Sequence, residues 1–333
     1  MVGNSTMPDV ETWIINIIFY TIGGTLAVVT NSLVALVILG DKNLRGYSFF
    51  VEMAIMSLNR STISLQMVII SIYRFLKLLD LAPDVLDRVT CYGIFFALVH
   101  FSTTDMAFLI IMAIDRLIAI AKPFLYKALT AKVATMAMGC VFVVSILGSH
   151  LPALFDRMPH RIPCVNIISP LSHEVYYGLS LAMLILSFCI VILYAVLILY
   201  ILMMASTVRE HVDHTSQQHP FSATAKKQLE LLPPLMILVV SAIICVIIPK
   251  SLFFFASLSS SNTSSARLIA YAGMLSNIDF NVTCWALLAR SSDFRAAFKK
   301  RFYEKTRIDP ENKDNELKLA CYKIKQQEHG NFG

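Results

Sequence analysis

Seven long stretches of this chain carry almost no charge, and that pattern constrains its fold more than any other feature. Residues 13–40, 133–155 and 175–208 contain no Asp, Glu, Lys or Arg. Residues 231–257 contain only Lys250, 268–289 only Asp279 and 91–114 only Asp105, while 47–73 holds Glu52 and Arg60. A helix needs roughly 20 mostly apolar residues to cross the hydrocarbon core of a bilayer. An open strand leaves its backbone unsatisfied in lipid, so all seven stretches are expected to be helices. Of the 333 residues, 56% are hydrophobic and 15% charged, against about 45–50% and about 25% in a soluble domain. That balance argues against a disordered chain or a water-soluble globule, and seven Cys are too sparse for a disulfide-stapled mini-protein.

The expected fold class is an all-α membrane protein, a seven-transmembrane helix bundle over 13–289, with spans at about 13–40, 47–73, 91–121, 133–155, 175–204, 231–257 and 268–289. An odd number of spans puts the termini on opposite sides, and the positive-inside rule decides which is which. With the N-terminus outside, twenty of the 28 Lys and Arg residues fall on the inner side, eleven of them from Arg290 onward. The first twelve residues hold Asp9 and Glu11 and no Lys or Arg. The glycosylation sequons that begin at Asn4 and Asn262 then both lie outside. No signal peptide and no internal repeat are visible.

The third stretch ends Ala113-Ile-Asp115-Arg116, with Pro123 and Tyr126 following at the inner membrane boundary. Asn31 lies in the first stretch, Cys91 stands 24 residues before Asp115, and Cys164 lies in the second outer loop. Pro152 and Pro249 mark stretches four and six, and the seventh carries Asn277-Ile-Asp279-Phe-Asn281. This set of landmarks resembles the rhodopsin-like (class A) G-protein-coupled receptors from about residue 24 to 300. The resemblance implies a short amphipathic eighth helix over 291–303, followed by a cytoplasmic tail, 304–333, expected to be disordered. Several positions depart from the pattern. Asn59 stands where the family usually has Asp, Phe142 and Ile247 stand where it has Trp, and its span-seven motif reads Asn281-Val-Thr-Cys-Trp285. Such erosion around a retained Asp-Arg pair is most similar to the nematode serpentine chemoreceptors of class SX.

The resemblance implies roles for particular residues. Cys91 and Cys164 would form a disulfide over the bundle mouth. Asp115 would hold Arg116 at rest, and Arg116 would meet a heterotrimeric G-protein on activation, with Phe124 as a second contact. Glu230, at the inner start of span six, would be a second restraint, and Pro249 a kink that lets the inner half of span six swing. Asn31, Asn59, Asp105, Asn277 and Asn281 are expected to converge mid-bundle. Ionisable groups there are costly and face the interior. One reading keeps a sodium ion beside Asp105; the other is a hydrogen-bonded network with Asp105 protonated. Arg60 pairs with Asp105 in one reading and with a substrate in another. Leu98, Val99 and Ser102 are candidate ligand-pocket walls. Leu98 occupies the position at which amine receptors carry their ammonium-binding Asp, which disfavours an amine.

The function that follows is signal transduction from the plasma membrane by a receptor for a small chemical cue, with membrane lipid around it. A neuropeptide receptor of the same superfamily is the alternative, and a ligand-gated channel or transporter subunit is the alternative of another class. No metal site, cofactor beyond the sodium ion, or nucleic-acid partner is expected. His-Glu-x-x-His, Gly-x-Ser-Gly and Gly-x-Gly-Asp are all absent from the sequence, which speaks against an intramembrane enzyme.

Overall fold

The structure, a computed structural model, describes residues 10–83, 85–122, 126, 131–155, 161–164, 171–214, 240, 243–258 and 262–304. Helices α1 (Val10–Gly40), α2 (Ser48–Leu78), α3 (Arg88–Ala121), α4 (Ala131–Leu154) and α5 (His173–His214) overlie the first five apolar stretches. A π-helical turn, Ile243–Ile247, leads into α6 (Ile248–Leu258). Then come α7 (Asn262–Arg290) and α8 (Ser292–Lys299). Among the described residues, α1, α2 and α3 are long and apolar enough to cross a membrane, as are Lys132–Leu151 and His173–Met203 within α4 and α5. Of the other two expected spans, 231–257 is described only at 240 and from 243 onward, and 268–289 lies within α7, which is not among these five.

The helices differ from the expected spans at their ends. α5 has 42 residues, about 63 Å at 1.5 Å per residue. That is twice the thickness of the hydrocarbon core, so its last turns extend past the membrane. They contain His211 and His214. α7 begins at Asn262, so that sequon lies at a helix start and not inside a loop.

The helices close on one another as a ring. α1 packs against α2 and α7, α2 against α3, α3 against α5, α5 against α6, and α6 against α7, while α4 lies against α2 and α3. The outward face of α1 is apolar as well as its buried face, where Val34, Val37 and Ile38 join the core. Ile14, Ile18, Ile22, Leu26 and Val29 of α1 are exposed, whereas Asn16, Thr30 and Asn31 of the same helix are buried. Lipid solvates the apolar face, and the polar groups find their partners inside. α1 and α2 approach closely at Gly24. A Cβ there would stand 3.0 Å from Val68 Cγ2 and 3.1 Å from the Ser64 carbonyl oxygen, as small residues at membrane helix seams allow.

One end of the ring is closed covalently. Cys91, at the start of α3, is disulfide-bonded to Cys164. Beside the bridge, β1 (Val85–Asp87) pairs antiparallel with β2 (Arg161–Pro163), with Leu86 opposite Ile162. No sequence signal had marked this short ribbon. Asp87 also caps α3 by accepting from the Thr90 amide at 2.9 Å. The Thr90 hydroxyl and amide hold the Asp87 carboxyl below its usual range.

Candidate functional site

Four helices each deliver one charged side chain to the core. Arg60 of α2 is 2% exposed. Its Nε donates to Asp105 Oδ1 at 2.9 Å and Oδ2 at 3.2 Å, and its Nη2 donates to Asp105 Oδ2 at 3.0 Å. The same Nη2 donates to Asp279 Oδ2 on α7 at 2.8 Å. The guanidinium also lies 5.7 Å from the centre of the Phe280 ring. A planar fork suits this task, because it presents parallel N–H donors to one carboxylate while still reaching a second. Lys250 of α6 brings the fourth charge, and its Nζ donates to Ser102 Oγ at 2.6 Å. Ser102 and Asp105 are three residues apart on α3 and share a face.

This geometry corrects the expected asparagine cluster. Asn59 does not point at Asp105. Its Nδ2 donates to the Phe101 carbonyl at 3.0 Å, and it lines a cleft with Thr135 and Phe142 on the α4 side. One residue is a turn of about 100° around a helix, so Arg60 takes the inward direction instead. Asn31 donates to the carbonyls of Ala27 and Phe280, at 2.8 and 2.7 Å. Asn281 meets Thr30 at 3.4 Å and the Gly23 carbonyl at 3.4 Å. These two stitch the α1–α7 seam. The Asn277 side chain lies outside the described set. Of the five residues expected to converge, Asp105 alone takes part in the ionic core among the described side chains. The cation it holds is Arg60.

At the opposite end from the disulfide, Arg116 folds back on its neighbour, donating from Nε to Asp115 Oδ2 at 3.0 Å. Ser48 Oγ donates to Asp115 Oδ1 at 3.2 Å, and the Tyr126 hydroxyl to Asp115 Oδ2 at 3.1 Å. Arg116 and Ser48 also bond the Tyr126 hydroxyl. The Arg116 guanidinium lies 4.8 Å from the Phe49 ring centre. Glu52, one turn along α2 from Ser48, is 1% exposed, and its Oε2 has no partner among the described residues. Phe124 and Glu230 lie outside the described residues, as does Asn4.

Pro249 sits in the first turn of α6, directly after the π-helical turn. Proline lacks the N–H that an α-helix requires, and a widened turn is one way to absorb that loss. Past this point toward the disulfide end, Tyr20, Ile63, Met67, Tyr176, Met183, Lys250, Phe253 and Phe280 enclose a pocket with about 510 Å³ of empty space, including its open mouth. Ser102 lines it. The side chains of Leu98 and Val99, the other proposed walls, and of Asn262 are outside the described set.

Lys250, Asp279 and Glu52 were not assigned a role from the sequence. The signal was present, since Lys250 and Asp279 are each the solitary charge of an otherwise apolar stretch, and such residues are functional by default.

The chain matches the family described as 7 transmembrane receptor (rhodopsin family) over residues 30–284. It belongs to that family. It is therefore a multi-pass membrane protein of the G-protein-coupled receptor class, and members of this class are receptors, not enzymes. No curated protein matches it closely enough to serve as a relative.

Proposed function

We propose that this chain is a chemosensory receptor of the plasma membrane. Its N-terminus is outside and its C-terminus inside, and it signals through a heterotrimeric G-protein. The bundle is read as seven spans followed by α8 as the membrane-surface helix, with glycans at Asn4 and Asn262 on the outer side. The observation that carries the reading is the Asp115–Arg116 pair, held by Ser48 and Tyr126 at the end of α3 away from the disulfide. The cation there is satisfied locally at rest and is released when the inner ends of the helices part. An outer ligand favours the parted state, and the G-protein binds it, which is a population shift across the membrane. Pro249 supplies the bend in span six, and Glu230 and Phe124 act at the same inner face. The narrow pocket favours a small molecule over a peptide. The likeness to class SX chemoreceptors is part of this proposal.

The ionic core has a place in the same scheme. Arg60 supplies the cation that a sodium ion would otherwise bring to Asp105, so the resting state is locked by a tethered charge.

The experiment is a G-protein activation assay in cells that express the full chain. Asp115→Asn raises basal signalling and Arg116→Ala abolishes it at equal surface expression. Wild-type signalling by Arg116→Ala overturns the proposal. Ligand-evoked current in a reconstituted membrane without G-protein would point to a channel instead.

A further inference from the structure

Lys250 is the one charged residue among the described walls of the outer pocket. It is 5% exposed. An ammonium has three donors, and among the described residues the only hydrogen bond this one makes goes to the neutral Ser102 hydroxyl, at 2.6 Å. The Phe253 ring centre lies 5.5 Å from Nζ. No carboxylate lies within salt-bridge distance of it among the described residues. The two core carboxylates that might have served, Asp105 and Asp279, already accept from Arg60. Its remaining donors have no acceptor among the described residues. A buried charge in that condition is costly unless something completes its shell.

We propose that the pocket takes a small, slim organic acid, with its carboxylate on Lys250 Nζ and its apolar tail against Tyr20, Met67, Tyr176, Met183 and Phe280. This rests on the reading of the chain as a ligand-activated receptor and names the chemical class of its ligand. A carboxylate forms charge-assisted hydrogen bonds with an ammonium, which are about twice as strong as neutral ones. The walls are aromatic and thioether groups that adapt to an alkyl chain. The Tyr176 hydroxyl donates to the Phe253 carbonyl at 3.1 Å, so it presents its ring to the tail. Size sets an upper bound, because the clear space at the centre is only about 40 Å³. That is on the order of three water positions at about 10–15 Å³ each, too narrow for a peptide side chain with its backbone. An ammonium ligand would meet Lys250 as a like charge.

The test uses the purified full chain in detergent and the same chain in cells with a G-protein readout. The probes are acetate, propionate and butanoate, each beside its methyl ester and the matching primary amine. At least one acid is expected to raise the melting temperature, with its ester and amine weaker by about 10- to 100-fold in half-maximal concentration. Lys250→Gln removes the preference for acid over ester, and Lys250→Arg, which keeps the charge, retains it. Esters as effective as acids, an acid response unchanged in Lys250→Gln, or no stabilisation by any acid overturns the proposal. The two readings fail separately. Lys250-dependent acid binding without G-protein activation sinks the signalling proposal and keeps the ligand class. Activation by neutral probes that Arg116→Ala abolishes and Lys250→Gln leaves intact does the reverse.

Discussion

Arg60 Nε lies 2.9 Å from Asp105 Oδ1, joining α2 to α3 through a pair that water barely reaches. The same guanidinium reaches Asp279 at 2.8 Å, so one residue ties three helices. Taking these charges out of water is expensive, and removing one partner leaves the rest uncompensated. Arg60→Met is expected to destabilise the chain by about 3–5 kcal/mol and to lose surface expression. Arg60→Lys should recover only part of it, since a single ammonium cannot present a fork to two carboxylates. Thermal melting of the detergent-solubilised variants measures both, and an Arg60→Met variant as stable as wild type would refute the assignment.

A tethered cation makes an external one redundant. The melting temperature is expected to be the same in sodium chloride and choline chloride at equal ionic strength. A sodium-specific rise that Asp105→Asn abolishes would restore the sodium reading.

Tyr126 bonds Asp115, Arg116 and Ser48 through one hydroxyl. Tyr126→Phe removes only that oxygen. Basal G-protein activation is expected to rise, by less than in Asp115→Asn, because the direct Arg116–Asp115 bond survives. A fall in basal signalling would contradict the proposed resting role.

The Cys91–Cys164 bridge fixes the β1–β2 ribbon to the head of α3. Cys91→Ser and Cys164→Ser are each expected to cost about 2–5 kcal/mol and to lower surface expression. The double variant should be no worse than either single one, because the same bond is lost. Additive losses, read by surface immunostaining, would indicate separate roles for the two thiols.

Gly24 sets the separation of α1 and α2. Gly24→Val places atoms against the Ser64 carbonyl oxygen, which is backbone and cannot rotate away. A loss of about 1–3 kcal/mol is expected, with Gly24→Ala milder, both visible as lowered melting temperature. An unchanged Gly24→Val variant would mean that the seam is looser than it stands here.

Much of this protein was legible before any contact was known. The apolar stretches located the helices, because span length follows from bilayer thickness and not from partners. The family landmarks brought Cys91 to Cys164 and Arg116 to Asp115, since spacing along a helix fixes which end a residue occupies. The polar core was not legible in the same way. Asn59 and Arg60 are neighbours in sequence, and which of them faces the axis depends on how α2 is rotated by its packing on α1 and α3.

The sequence by itself determined that the chain lives in lipid and where its helices lie, because these depend on composition and length along one dimension. Tertiary structure alone decided the charge pairing. Arg60, Asp105, Lys250 and Asp279 are separated by 29 to 219 positions along the chain, and only the packing of four helices brings them into one core. There each charge must find a partner, and Lys250 is left with a hydroxyl and an open pocket.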